Sequence, residues 1–204
     1  GTPIVAWDKS SSNTYEITYE IYVRRWNGTS WVEIGSGSAS DGGISIDSGD
    51  SLSPSLAINP DNKPIVAWQD RKGEWDDEEY EIDVRHWDGT AWVEIGSGSA
   101  SGGGISDSGR YSMNPSLAVG PDGTPIIAWR EAWPSDATLD LDIYVRRWDG
   151  TTWVEMGSGS ASGGGISNDS GFSENPSLAI SPDGIPTVAW LNELGSVNDV
   201  FVRR

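Results

Sequence analysis

Six tryptophans stand in three pairs, Trp26 with Trp31, Trp87 with Trp92 and Trp148 with Trp153, each flanking a four-residue segment that contains Asn-Gly or Asp-Gly. An indole face stacks well on the apolar face of a sugar ring, so a platform repeated along the chain would bind glycan with avidity from weak single sites. The same spacing suits cross-strand packing at the mouth of a hairpin, where two rings pin the register. Packing is the stronger reading, and sugar contact the functional one. Trp75 and Trp133 join the candidate ligand contacts because they lie in segments that differ between copies.

Acidic side chains offer a second chemistry. The run from Gly73 to Glu79 sets Trp75 beside Asp76, Asp77, Glu78 and Glu79. Such carboxylates would hold Ca²⁺ weakly or meet a basic partner, although they lack the oxygen spacing of an EF-hand and a charge run is more often simply solvated. Asp107, with Asp47 and Asp169 at similar places, follows a glycine-rich stretch and is a further candidate ligand. Calcium is the one cofactor this composition suggests. Arg24, Arg85 and Arg146 could grip a carboxylate, but counting back from each turn sets them opposite Glu33, Glu94 and Glu155 as cross-strand pairs. Catalysis has little support from residue types. The single histidine, His86, replaces the Arg25 and Arg147 of other copies, there is no cysteine nucleophile, and no phosphate loop precedes a helix. Carboxylates suitable for a glycosidase are abundant, yet so repetitive a chain offers few unique residues, and the expectation is that it is not an enzyme.

The elements that must carry these residues repeat every 61 positions. Trp7, Trp68, Trp129 and Trp190 keep that interval, as do Pro54, Pro115 and Pro176. One unit holds four strand signals, Ser55–Ile58, Pro64–Trp68, Tyr80–Trp87 and Trp92–Ile95, separated by Pro/Asp/Gly turns. A long Gly/Ser crossover such as Gly96–Asn114 then leads to the next unit. Four-stranded meanders cannot bury both faces alone, whereas blades packed around an axis can, so the prediction is an all-β propeller. A stacked β-solenoid is the rival, but its coils are shorter and need no tight hairpins. The chain divides into a partial blade with its crossover (1–53), two full blades with crossovers (54–114 and 115–175) and a partial blade (176–204). That is fourteen strands, about three and a half blades, with raw edges that predict self-association or a longer parent chain.

The signature PSLAxxPDGxPxVAW followed by EIYVRRWDGTxWVEIG resembles highly repetitive bacterial β-propellers of large secreted or surface proteins, and it covers the whole chain. Asp149-Gly150-Thr151-Thr152-Trp153 also loosely resembles the Asp box of sialidase-type propellers, lacking its leading Ser and one spacer. The resemblance implies the fold; the Asp box is a structural turn and implies no glycosidase activity.

Composition narrows the partners. A net charge of −18 repels phosphate backbones and anionic lipid, so neither nucleic acid nor membrane insertion is expected. The chain opens inside a repeat without an initiator Met, which suggests a segment of something longer, and its acidic, Cys-free, Gly/Ser-rich character leans towards an extracellular or cell-surface bacterial setting. The resulting expectation is a non-catalytic extracellular binding module for carbohydrate or another surface polymer. Alternatives are a scaffold whose incomplete arc closes or polymerises with other copies, and a sialidase-like glycoside hydrolase.

Overall fold

The computed structural model describes residues 1–13, 16–45, 49–72, 79–132, 141–168, 171–195 and 197–204. Its strands fall into four blades of a β-propeller. Blade 1 holds β1 (Ile4–Asn13), β2 (Glu16–Trp26) and β3 (Trp31–Glu33). Blade 2 holds β4 (Ser51–Ile58), β5 (Pro64–Lys72), β6 (Glu79–Trp87) and β7 (Trp92–Glu94). Blade 3 holds β8 (Tyr111–Val119), β9 (Pro125–Ala132), β10 (Leu141–Trp148) and β11 (Trp153–Glu155), and blade 4 holds β12 (Phe172–Ile180), β13 (Pro186–Leu194) and β14 (Val197–Arg203). Within each blade the ladders are antiparallel, whereas single parallel bridges, Tyr80↔Tyr111 and Leu141↔Phe172, stitch blades 2 to 4 together.

Turn chemistry sets the meander. In the hairpin between β6 and β7 the Asp88 carboxylate accepts the Thr90 and Ala91 amides at 2.6 and 2.8 Å, an Asx turn that Gly89 completes with φ of 117°. These amides, Ala91 first, hold the Asp88 carboxyl down at about 2. Each inner strand, β4, β8 and β12, carries a bulge before its proline, with Ser53, Asn114 and Asn175 at φ of 54°, 53° and 53°. The strands also run further than the apolar pattern suggests. β5 continues four residues past Trp68 because Gln69 to Lys72 still pair with Ile82 to Glu79, so polar side chains enter the ladder at its end.

Burial lies between blades. Trp68, Val66, Ile21 and Val23 meet at the first seam, Trp129, Ile127, Ile82 and Val84 at the second, and Trp190, Val188, Ile143 and Val145 at the third. Period-2 alternation explains this: in each second strand one set of side chains faces the preceding blade and the next set faces the following one. Inner strands are further tied by a serine, with Leu117 N–H donating to Ser55 Oγ and Leu178 N–H to Ser116 Oγ, each at 2.9 Å.

Candidate functional site

The tryptophan pairs stand where the blades join. Register is Trp26↔Trp31, Trp87↔Trp92 and Trp148↔Trp153, as counting across the turns predicts. In blades 2 and 3 the pairs also reach backwards. Trp92 Nε1 donates to Ile34 O at 2.8 Å and Trp153 Nε1 to Ile95 O at 3.0 Å. Trp87 and Trp148 pack against Gly35 and Gly96, where an added Cβ would stand 2.5 and 2.6 Å from the indole carbons. Glycine at φ of 81° and 83° is what allows that approach. Among the described residues no blade packs behind Trp26 and Trp31, and Trp31 is exposed.

The arginine–glutamate register also holds, Arg24↔Glu33, Arg85↔Glu94 and Arg146↔Glu155, but the charges turn to other partners. Glu33 accepts from Ala39 N at 3.0 Å and Ser40 Oγ at 2.8 Å, and that hydroxyl, followed by the Ala39 amide, lowers its pKa. Arg85 Nη1 donates to Ile44 O at 2.6 Å, Arg146 Nη1 donates to Ile105 O, and Arg24 sits 6.0 Å over the Trp7 ring. Desolvated carbonyls of the preceding crossover therefore compete successfully with a cross-strand carboxylate. Asp107 is exposed at φ of 43° and its N–H bonds Gly103 O at 2.9 Å. Among the described residues no three His, Cys, Asp or Glu converge as a metal cluster. Trp75, Trp133, Asp76, Asp77 and Glu78, with Asp47 and Asp169, lie outside the described residues.

A polar layer at one rim is the feature the sequence reading passed over. Here the second strands end and the first and third begin. Its repeated part is structural: Ser45, Ser106 and Ser167 hydroxyls donate to Glu20, Glu81 and Asp142 while accepting the Ile21, Ile82 and Ile143 amides. Burial pushes the Glu81 carboxyl up, and the charge of Glu131 adds to it, against hydrogen bonds from Ser106, Gly109 and Ser108. Spacings of 61 residues in these serines and acids are the signal that would have found the layer.

The non-repeated part of the rim holds the polar and ionisable side chains that differ between blades. Two residues beyond the second-strand tryptophan stand Lys9, Asp70, Glu131 and Asn192. Asp70 takes a 2.5 Å hydrogen bond from Ser51 and a 2.6 Å ion pair from Lys72, which also reaches Asp83 at 2.8 Å. Burial pulls the Lys72 ammonium down, but Asp83 and Asp70 together outweigh it and raise its pKa. In the other blades the place of Asp83 is aromatic, and Trp7–Tyr22, Trp129–Tyr144 and Trp190–Phe201 stack at 5.8–6.0 Å. Glu131 is held by Arg110 at 3.0 Å, and Arg110 also touches the Tyr144 hydroxyl. Burial, followed by Glu131, lifts that phenol to about 12.

One residue beyond the same tryptophan the blades differ again, with Asp8, Gln69, Arg130 and Leu191. The first three of these side chains reach the bulge of the next inner strand. Asp8 accepts from Ser53 N at 3.3 Å, Gln69 from Asn114 N at 3.0 Å, and Arg130 pairs with Glu174 at 3.0 Å. Glu174 leaves 40% of its side chain open to solvent, far more than the covered Asp70 or Glu131. At this one repeat position the inner rim therefore carries a carboxylate, an amide and a guanidinium in successive blades.

No protein-family model matches the chain, and comparison with curated proteins finds no match. Solved structures do. A protein of unknown function from Dyadobacter fermentans aligns over 98% of this chain and 60% of its own at TM-score 0.56 and 12% identity. The α-L-arabinanase of Penicillium chrysogenum, solved with arabinobiose, covers 100% and 56% at TM-score 0.53 and 15% identity. An endo-arabinase from Bacteroides thetaiotaomicron covers 97% and 69% at TM-score 0.51 and 13% identity. The chain thus spans about 56–69% of those three proteins, and the likeness is one of fold. The expectation of a non-catalytic binding module, and of no enzymatic role, is corrected here. Its premise was that a repetitive propeller lacks the asymmetry catalysis needs, yet proteins named as glycan-cleaving enzymes share this fold, and the rim of this chain is asymmetric.

Proposed function

We propose that the chain forms most of a glycoside-hydrolysing propeller, acting on a pentose-containing polysaccharide such as arabinan at its inner rim. The observation that carries the reading is the break in repetition there: a scaffold copied blade by blade bears Asp8, Gln69, Arg130 and Leu191 at one position and Leu52, Met113 and Glu174 at the position they face. Glycoside hydrolysis asks for two carboxylates across the scissile bond, one to donate a proton and one to act as nucleophile or to activate water. Exposure decides which acids qualify. Glu81 is covered and committed to the crossover amides, so the rim-facing Asp8 and Glu174 are assigned as the pair, with Arg130 and Gln69 as ligands for sugar hydroxyls. The named activities of the arabinase and arabinanase neighbours support the choice of substrate.

The test is reducing-sugar release from arabinan and turnover of aryl arabinofuranoside, xyloside and sialoside panels. Glu174→Gln and Asp8→Asn are expected to lower kcat by about 10²–10⁴-fold, while Glu193→Gln leaves it unchanged. A folded protein without turnover on any of these glycosides would refute the assignment, and turnover of the sialoside alone would move it to the sialidase class.

A further inference from the structure

The two end faces of the arc are the two halves of an interface the molecule already uses three times. Val200 and Val202 occupy in blade 4 the positions of Ile21 and Val23, Ile82 and Val84, and Ile143 and Val145. Those six are at most 4% exposed, whereas Val200 and Val202 are 68% and 59% exposed. At the other end Val5 matches Val66, Ile127 and Val188, none above 5%, and is itself 40% exposed. Of the twelve large hydrophobic residues that stand exposed among the described residues, only Ile58 lies outside blades 1 and 4.

We propose that these faces bind one another between copies of the chain, blade 1 of one molecule seating on blade 4 of the next. The fit follows the internal seams. Val5 and Trp7 present the surface that Val66 and Trp68 give to Ile21 and Val23, and Val200 and Val202 present the surface that receives it. Such a contact is heterologous, joining head to tail, so it closes into a ring or propagates. Each copy carries a charge of −18, so association strengthens as salt screens the repulsion.

Sedimentation velocity and light scattering from 1 to 100 µM, in 0.15 and 0.3 M NaCl, read the contact directly. The chain is expected to gain mass with concentration and more so at the higher salt. Val5→Glu and Val202→Glu, both at exposed positions and checked for native circular dichroism, should each weaken association at least tenfold. Mixed in equal amounts they should restore a particle of two chains, because each variant keeps the face the other has lost. A wild-type monomer up to 100 µM would overturn the proposal and leave further residues of the same polypeptide as the occupant. Association indifferent to both charges, or a mixture that stays monomeric, would overturn it equally. None of these readouts depends on hydrolysis.

Discussion

Lys72→Met removes the ammonium that stands between two carboxylates while keeping the length of the side chain. Asp70 and Asp83 expose 1% and 0% of their side chains, so neither gains water in exchange. Breaking a buried pair from one side costs about 3–5 kcal/mol, because the remaining charge is left in a poor solvent. With a urea slope of about 2 kcal/mol per molar for the step that opens blade 2, the midpoint of that step should fall by about 1.5–2.5 M. The control is Arg204→Met. Its partner Asp183 lies 3.6 Å away with both side chains 61% exposed, and the expected loss is under about 0.5 kcal/mol. The pH dependence supplies a second reading. In the wild type the raised Lys72 pKa keeps its contribution intact below about pH 10.4, and it is lost only as pH climbs through the folded value. Urea titrations followed by circular dichroism at several pH values decide the matter. A loss below about 1 kcal/mol at pH 7 would show that these carboxylates are not charged and desolvated as described.

Gly96→Ala and Gly157→Ala place the same methyl at the same repeat position, with φ of 83° and 90°, but only Gly96 lies under an indole. Both should lose about 1–2 kcal/mol for the left-handed backbone, and Gly96→Ala about 1–3 kcal/mol more for overpacking, as measured by denaturation. Glu81→Gln keeps an acceptor for the Ser108 and Gly109 amides while removing a buried charge. Because the folded pKa of Glu81 is raised, its stabilising contribution is complete below the unfolded value and lost as pH rises, so the variant should gain on wild type between pH 4 and 7; a constant difference refutes this. Asp88 behaves oppositely. Its contribution is present above an unfolded value of 3.8 and lost as pH falls towards about 2, so its ¹³C carboxyl titration should midpoint near the lower value.

The period, the four strands of a blade and the hairpin register were all legible because each rests on local spacing: Trp26 opposite Trp31 fixes Arg24 opposite Glu33 by counting alone. Where those side chains then go was not legible. Trp92 finds its carbonyl 58 residues back, at Ile34, and Glu94 caps the amides of Gly98 and Ala100. Only the curvature of the arc brings such partners together. The rim was half visible, since Ser45, Ser106 and Ser167 recur at the blade interval, but a serine in a glycine-rich stretch reads as linker until its carboxylate partner is in place. The functional expectation failed for a related reason. Repetition draws attention to what the copies share, whereas the proposed site rests on Asp8, Gln69, Arg130 and Glu174, which do not repeat.

Because almost all burial lies at seams between adjacent blades, the molecule should melt like a short one-dimensional array rather than as a single cooperative unit. Blades 2 and 3 each have a neighbour on both sides, while blades 1 and 4 have one. Amide exchange should therefore be slowest at Val84 and Val145 and fastest at Val5 and Val202, with protection stepping down outwards from the second seam. A calorimetric enthalpy larger than the van't Hoff value would follow, since the ends release before the middle.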